Sequence, residues 1–510
     1  MTDTPEDIAK LTALLGNRTW RLNNLYKILD PHGNCVPFKM NWAQEDFFKK
    51  LHYFNIILKA RQLGFSTFIL IYMLDAALFN SNHKCGVIAH DLESTKDLFD
   101  DKVKFAYDNL PEWLKKERPL VSDSARQLEF NNGSSITVGT SLRGGTFQKL
   151  HVSEMGKISA RYPDKAREIK TGALNTVHPG QQIFIESTAE GQSGDFFDLV
   201  KLARQLDDES RELTPMDPKF HFYPWYENPA YCLNAEDTRA TIITPEDMKY
   251  FNDLPVELSP GQKAWYVKKA AIQGEDMKRE FPSTPEESFE TSLEGAIYAK
   301  QMQAVRKAGQ ITRVPHERTA RVFTFWDLGI TDHIWFFQHI GKEYHFIRYM
   351  KLVNADLEEA ARELNKLDYV YGGHYLPHDG ERQQKGLKNK SYKQMLEGLG
   401  VRPVNIVTRT TDVWKDIKTK VKPVLPRCWF DETLCAEGIT GLDNYSKVWD
   451  DKNGVWKEEP RHDEHSHPAD GFRTFALGYE GRQDELLDEG DYEDEFVDIS
   501  EGTRSSISGY

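Results

Sequence analysis

The segment Asn55 to Thr67, NIILKARQLGFST, sets a lysine, an arginine and two hydroxyl residues on the turn between an apolar run and an apolar helix start. That is the setting of a phosphate-binding loop, where backbone N–H groups converge on an anion at a helix N-terminus. The usual string is G-x-x-x-x-G-K-[ST]. Aligned on Gly64, Lys59 stands where the first glycine belongs and Phe65 where the lysine belongs. Ser66 holds the hydroxyl position, with Thr67 beside it. The positive charge needed at the phosphates then comes from Lys59 or Arg61. The candidate nucleotide-binding set is Lys59, Arg61, Gln62, Gly64, Phe65, Ser66 and Thr67, and Ser66 is also a candidate Mg2+ ligand. The same residues also read as an ordinary strand-to-helix turn with two solvated charges.

Three further segments fit beside such a loop. RGGTFQKLHVSEMG carries an apolar run ending in an acid, with Ser153 at the usual aspartate position and Glu154 at the carboxylate that polarises the attacking water. IFIESTAEG ends on Ser187 and Thr188, placed to sense a γ-phosphate. Arg143, in a glycine-flanked turn, is a candidate arginine finger, and Gln44 in NWAQEDFF is a candidate adenine-reading amide. The plainer readings are a surface turn for Arg143 and a polar helix residue for Gln44.

A second constellation is made of aspartates. Asp327 lies within FTFWDLG, Asp379 follows HYLPH, and Asp470 is expected to open a terminal helix within HSHPADGFRTFALG. Two-metal phosphodiester cleavage needs acids from separate elements meeting at one edge, holding ions about 3.5–4 Å apart. Burying an aspartate among Phe and Trp is costly without compensation, and a metal supplies it. Taken singly, Asp379-Gly380 also reads as a turn and Asp470 as a helix N-cap. Asp332 and Asp463 lie near enough in sequence to assist. HDEHSH lacks the i,i+4 spacing of a helical zinc site and reads as a loop.

The elements that must position these residues form two α/β patterns. Apolar strands alternate with helices from 55 to about 200, which predicts a mostly parallel, doubly wound sheet. From Arg321, three strand-like runs, the helix ADLEEAARELNKL and the strand GGHYLPHD give the opening order of an RNase H-like domain. The expected organisation is a helical lead-in over 1–40, a P-loop ATPase domain over 41–290 with a connector at 200–290, an RNase H-like nuclease domain over 291–480, and a disordered acidic tail over 481–510.

The 510 residues carry 65 Lys+Arg against 79 Asp+Glu, a net charge of -14, which taken alone argues against a polyanionic partner. The charge is unevenly spread. Residues 481–510 hold ten acids against two arginines, whereas 381–427 hold twelve basic residues against four acids, a net of +8 beside Asp379. That block suits phosphate contacts rather than base reading. Five cysteines without C-x-x-C spacing point to a reducing compartment. The acidic N-terminus is unlike a signal peptide. The stretch Phe68 to Phe79 is too short to span a bilayer and contains Asp75, so a soluble intracellular protein is expected.

In order, the loop KARQLGFST, the lead RGGTFQKLHVSE, STAEG, REFPSTPEESF and HSHPADGFR resemble the large terminase subunit of tailed bacteriophages, from about Gln44 to Asp470. The resemblance implies ATP phosphate binding by the Lys59–Thr67 loop and catalysis by Glu154. It implies coupling through Ser187 and Thr188, and divalent metal (Mg2+ or Mn2+) on Asp327, Asp379 and Asp470. It further implies packaging of double-stranded DNA by a ring on the portal protein of a prohead, with a small terminase subunit. The site of action would be the host cytoplasm and, transiently, the portal vertex, with a ring of copies when packaging and a monomer in solution. Ser153 departs from the family pattern and puts the hold on Mg2+ in question. The alternatives are a helicase-like DNA repair ATPase-nuclease and a structural assembly protein with an inactive ATPase fold.

Overall fold

The computed structural model describes residues 5–290, 295–382, 390–408, 410–450 and 452–479. Lys385, Lys388 and Arg409 of the basic block and the acidic tail lie outside the described residues. The chain divides into two compact units: the chain through Gly309 together with Ala436–Ala469, and Gln310–Cys435 with the segment from Asp470 onward.

The first unit is built on α1 (Trp42–Lys50), β1 (Phe54–Lys59), α2 (Phe65–Phe79), β2 (Lys84–Ile88), β3 (Leu120–Ser124), β4 (Gln127–Phe130), β5 (Ser135–Gly139), β6 (Lys149–Ser153), α3 (Met155–Arg161), β7 (Gln182–Ser187), α4 (Asp195–Asp208) and β8 (Pro218–Tyr223). Its sheet runs β8-β1-β7-β6-β2-β5-β4-β3, parallel from β8 to β5 and antiparallel beyond. Strands β1, β2, β5, β6 and β7 lie within or at the edge of the 55–200 stretch where strands alternating with helices are expected. The β3–β4 pair was not legible in the sequence. Part of the expected connector is regular structure, because the aromatic run at 218–223 adds β8 to the sheet edge alongside β1.

Both sheet faces are covered, which is why these strands are continuous apolar runs. Ile57 and Phe184 pack with α2 on one face, and Ile56, Leu58, Val152 and Ile185 pack with Met155 and Phe196 on the other. Helix α2 is apolar nearly all round and buried accordingly. Its Asp75 is fully buried, accepting bonds from Arg21 Nε (2.8 Å) and Nη2 (2.7 Å) and from the Tyr26 hydroxyl (2.9 Å). The segment 436–469 joins this unit partly through Arg461, whose guanidinium donates to Ala160 O at the end of α3 (2.8 Å).

The second unit contains β9 (Ile311–Thr312), β10 (Val322–Asp327), β11 (Thr331–Ile340), β12 (Glu343–Val353), α5 (Leu357–Lys366), β13 (Tyr371–Leu376), α6 (Tyr392–Gly398), β14 (Val404–Ile406), β15 (Cys428–Asp431) and the end of α7 (Ser466–Gly478). The sheet order is β9-β15-β12-β11-β10-β13-β14. Strands β10, β11 and β12 are antiparallel neighbours, and β13 lies parallel to β10, in the order expected from sequence. Leu357, Ala360 and Leu364 of α5 pack with Trp326, Ile334 and Phe336 on one face. Phe472 and Phe475 of α7 stack among Trp335, Phe337 and Phe346 on the other. Among the described residues no helix is long and apolar enough to cross a membrane.

Replacing Asp75 by alanine leaves the Arg21 guanidinium buried without its counter-charge. The expected cost is about 3–5 kcal/mol, read as a lowered denaturant midpoint for the first unit.

Candidate functional site: a buried lysine between two carboxylates

Side chains alternate along a strand, so Lys59, Ser153 and Glu186 share the α2 face with Ile57 and Phe184. Strand β7 lies between β1 and β6, which puts Glu186 in the middle. The Lys59 ammonium is 3.0 Å from Glu186 Oε2 and 3.7 Å from Glu154 Oε1. The Ser66 hydroxyl, on the first turn of α2, donates to Glu186 Oε1 (2.6 Å), as does that of Ser153 (2.9 Å), and His151 Nε2 stands 3.4 Å away. Burial alone would raise the pKa of Glu186, but Lys59, His151 and Ser66 hold it well below the usual carboxylate range. Burial works against the charge on Lys59 as well, and the Glu186 and Glu154 carboxylates more than offset it, raising its pKa.

The loop leading into α2 is braced from outside. Arg61 forks onto the Glu280 carboxylate, its N–H donates to Glu280 O (3.0 Å), and the Tyr231 hydroxyl donates to Arg61 O (2.6 Å). From α1, Asn41 Nδ2 donates to Leu63 O (3.0 Å) and Gln44 Nε2 to Gly64 O (2.8 Å). Gln44 Oε1 closes the α1 capping box on Asn41 N, so both ends of the amide are engaged within the chain. Gln62 and Gly64 adopt left-handed backbone, and a Cβ on Gly64 would meet Gln44 Nε2 at 2.7 Å. Helix α2 carries no side-chain N-cap. The Phe65 ring is core, packed against Phe47 and Tyr223, so only its backbone faces the loop. Thr67 is half-buried beside Ser66.

Glu154 also has left-handed backbone (φ 57°), unusual for a glutamate and costly. Its Oε2 is buried without a hydrogen-bond partner, as is Thr188 Oγ1 at the end of β7. Ser187 Oγ accepts from Gly156 N (3.0 Å), and a Cβ on Gly156 would lie 2.6 Å from Thr188 O. The start of α3 and the tip of β7 are thus in backbone contact. Arg143 is largely exposed and pairs with Glu168 (2.6 Å), away from the lysine.

The orphaned oxygen of Glu154, the uncapped helix N-terminus and the Ser66 hydroxyl fit a nucleotide with its Mg2+. Lys59 faces the carboxylates, while Arg61 is tied to Glu280. Glu186 was missed by sequence reading. Its signal was position: it sits one residue before Ser187-Thr188, in register with Ser153.

In the second unit, topology carries the aspartates to one end of the sheet. Asp327 ends β10, and Asp379 follows β13, its parallel neighbour. Asp470 precedes Gly471, which lies against His333 O, the register partner of Asp327. Their side chains are not gathered into one set. Asp379 pairs with Arg382 (2.9 Å) and His378 (3.2 Å), and Asp470 with Arg473 (3.1 Å). Among the described residues no group of three or more His, Cys, Asp or Glu side chains is arranged to hold a metal. As placed, these residues do not fit two metal ions. Asp332 is the carboxylate beside Asp327; burial, with help from the Asp327 charge, pushes its pKa up to about 6.

Fold and site together define a two-unit α/β protein with a lysine–carboxylate centre at a strand–turn–helix. No protein-family model matches the chain. Among solved structures it is similar to the HK97 bacteriophage large terminase, at 13% identity over 91% of this chain and 98% of that one, with a TM-score of 0.42. It is similar also to the large terminase of the thermophilic bacteriophage D6E, at 12% identity over 86% and 99%, with a TM-score of 0.31. The P22 large terminase nuclease domain matches 33% of this chain and 87% of its own, at 14% identity and a TM-score of 0.27. Each likeness is distant.

Lys59→Met strands Glu186 as a buried, uncompensated carboxylate and is expected to cost about 3–5 kcal/mol. Adding Glu186→Gln should recover most of that loss, a coupling read from denaturant midpoints in a double-mutant cycle.

Proposed function

We propose that the chain is the large terminase subunit of a tailed bacteriophage: an ATPase that drives double-stranded DNA into a prohead, joined to a nuclease that cuts the concatemer at the start and end of packaging. The observation that carries the ATPase reading is Lys59, an ammonium held at a strand end between Glu154 and Glu186, beside an uncapped helix N-terminus.

On this reading the N–H groups of the loop and first turn of α2 receive the phosphates, whose charge draws Lys59 onto them. Ser66 presents its hydroxyl, and bound Mg2+ supplies further neutralisation of phosphate charge. Glu154, released from Lys59, orients the attacking water through its unpartnered oxygen. Thr188 and Ser187 lie at the tip that touches α3, so a shift of Glu154 reaches β7 directly. Arg143 is exposed, as an arginine donated to a neighbouring copy in a ring must be. An inactive assembly protein is disfavoured, because a buried charged triad and a strained Glu154 are costs that a scaffold has no reason to keep.

The nuclease reading of the second unit is carried by the convergence of Asp327, Asp379 and Asp470 on one sheet end. No chemical step is assigned there. DNA contacts would come from the helical run after Asp412, where Lys415, Lys418 and Lys420 are exposed and Lys418 and Lys422 lie over the Trp414 ring. The small terminase subunit, the portal protein and a ring of copies are the partners this function requires, in the host cytoplasm and at the portal vertex.

Glu154→Gln is expected to lower ATP turnover by about 10²–10⁴-fold while nucleotide binding persists. Hydrolysis at the wild-type rate would overturn the assignment. Asp379→Asn should abolish Mg2+- or Mn2+-dependent plasmid nicking and leave ATP hydrolysis intact; nicking that survives in this variant removes the nuclease reading.

A further inference from the structure

Strand β6 ends in Ser153, where a P-loop ATPase places the aspartate that holds Mg2+ behind the loop hydroxyl. The hydroxyl itself is present. Ser66 Oγ donates to a carboxylate oxygen at 2.6 Å, but that oxygen belongs to Glu186 on the next strand. Ser153 and Glu186 are register partners, so their side chains leave the sheet at the same height and on the same face. Neighbouring strands lie about 4.8 Å apart, and glutamate is one methylene longer than aspartate. The Glu186 carboxylate covers that sideways step and lands 2.9 Å from Ser153 Oγ.

The charges around it do not balance. Glu186 is fully buried, and its Oε2 pairs with the Lys59 ammonium, which it shares with Glu154, while Ser66, Ser153 and His151 stand at Oε1. A nucleotide that draws Lys59 onto its phosphates takes that ammonium from Oε2, and a buried carboxylate deprived of its cation is strongly unfavourable. A cation arriving with the nucleotide restores the balance at that oxygen.

We propose, on the strength of the nucleotide reading above, that Glu186 is the carboxylate that receives the Mg2+ of the bound nucleotide in place of an aspartate at position 153. Lys59 and the cation then exchange on it, the lysine moving to the phosphates. Glu186 makes ATP binding conditional on the metal. Metal-free nucleotide competes with Glu186 for Lys59, whereas the metal complex does not.

The test is equilibrium binding of ATPγS to the full chain, in excess Mg2+ and in EDTA. Wild type is expected to bind at least about tenfold more tightly with Mg2+. Glu186→Gln should bind metal-free nucleotide more tightly than wild type does and lose most of the Mg2+ dependence. Ser153→Asp added to Glu186→Gln should restore it. A carboxylate that merely pairs with Lys59 for stability predicts otherwise: Glu186→Gln would keep the wild-type ratio between the two conditions. That result, or failure of the folded double variant to regain Mg2+ dependence, overturns the assignment to Glu186 and leaves the nucleotide reading standing. If wild type binds no nucleotide in either condition, both fall together.

Discussion

A buried lysine has to be answered by a carboxylate, and a buried carboxylate has to be answered by hydrogen bonds. Lys59 sets that chain of obligations at the end of β1. Glu186 meets the ammonium, and Ser66, Ser153 and His151 surround the carboxylate. Strand β7, between β1 and β6, carries Glu186 within reach of both Lys59 and Ser153. The left-handed backbone at Glu154 turns a second carboxylate toward the lysine, at the 3.7 Å that a shared ion pair permits. Burying these charges is not favourable in itself. Hydrogen bonds and paired charges hold them in place within a sheet whose strands are otherwise largely apolar.

The second unit solves a different problem. Its sheet is clad by α5 on one face and by the aromatic residues of α7 on the other, which leaves the strand ends as the place for polar chemistry. The acids that collect there are kept apart by arginines on their own helical turns, Arg382 for Asp379 and Arg473 for Asp470. Asp327 and Asp332 differ, with two carboxylates near each other and one of them buried.

Much of this was legible in the chain. Period and length gave five of the six parallel strands of the first unit and the strand–strand–strand–helix–strand order of the second, because fully buried strands read as unbroken apolar runs. The turn from β1 into α2 was legible from Gly64 and the apolar runs on either side of it. Other features were not. The aromatic run at 218–223 looked irregular, since an edge strand built on Pro, His and Tyr lacks the β-branched signature. The pairing of Arg61 with Glu280 joins residues more than two hundred apart and has no local signal. Glu186 was hidden because an acid inside an apolar run has meaning only once the register sets it beside Ser153, and register is a property of two segments at once.

Helix α2 begins at the Gly64 turn, and its Asp75 is gripped by Arg21 and Tyr26 two to three turns further along. With apolar contacts on every side, it can neither roll nor slide without tearing a buried ion pair. The site therefore has one stationary jaw. Whatever displacement a change of ligand produces must be taken up by the opposite one, where Gly156 lets the start of α3 ride directly on the backbone of the β7 tip.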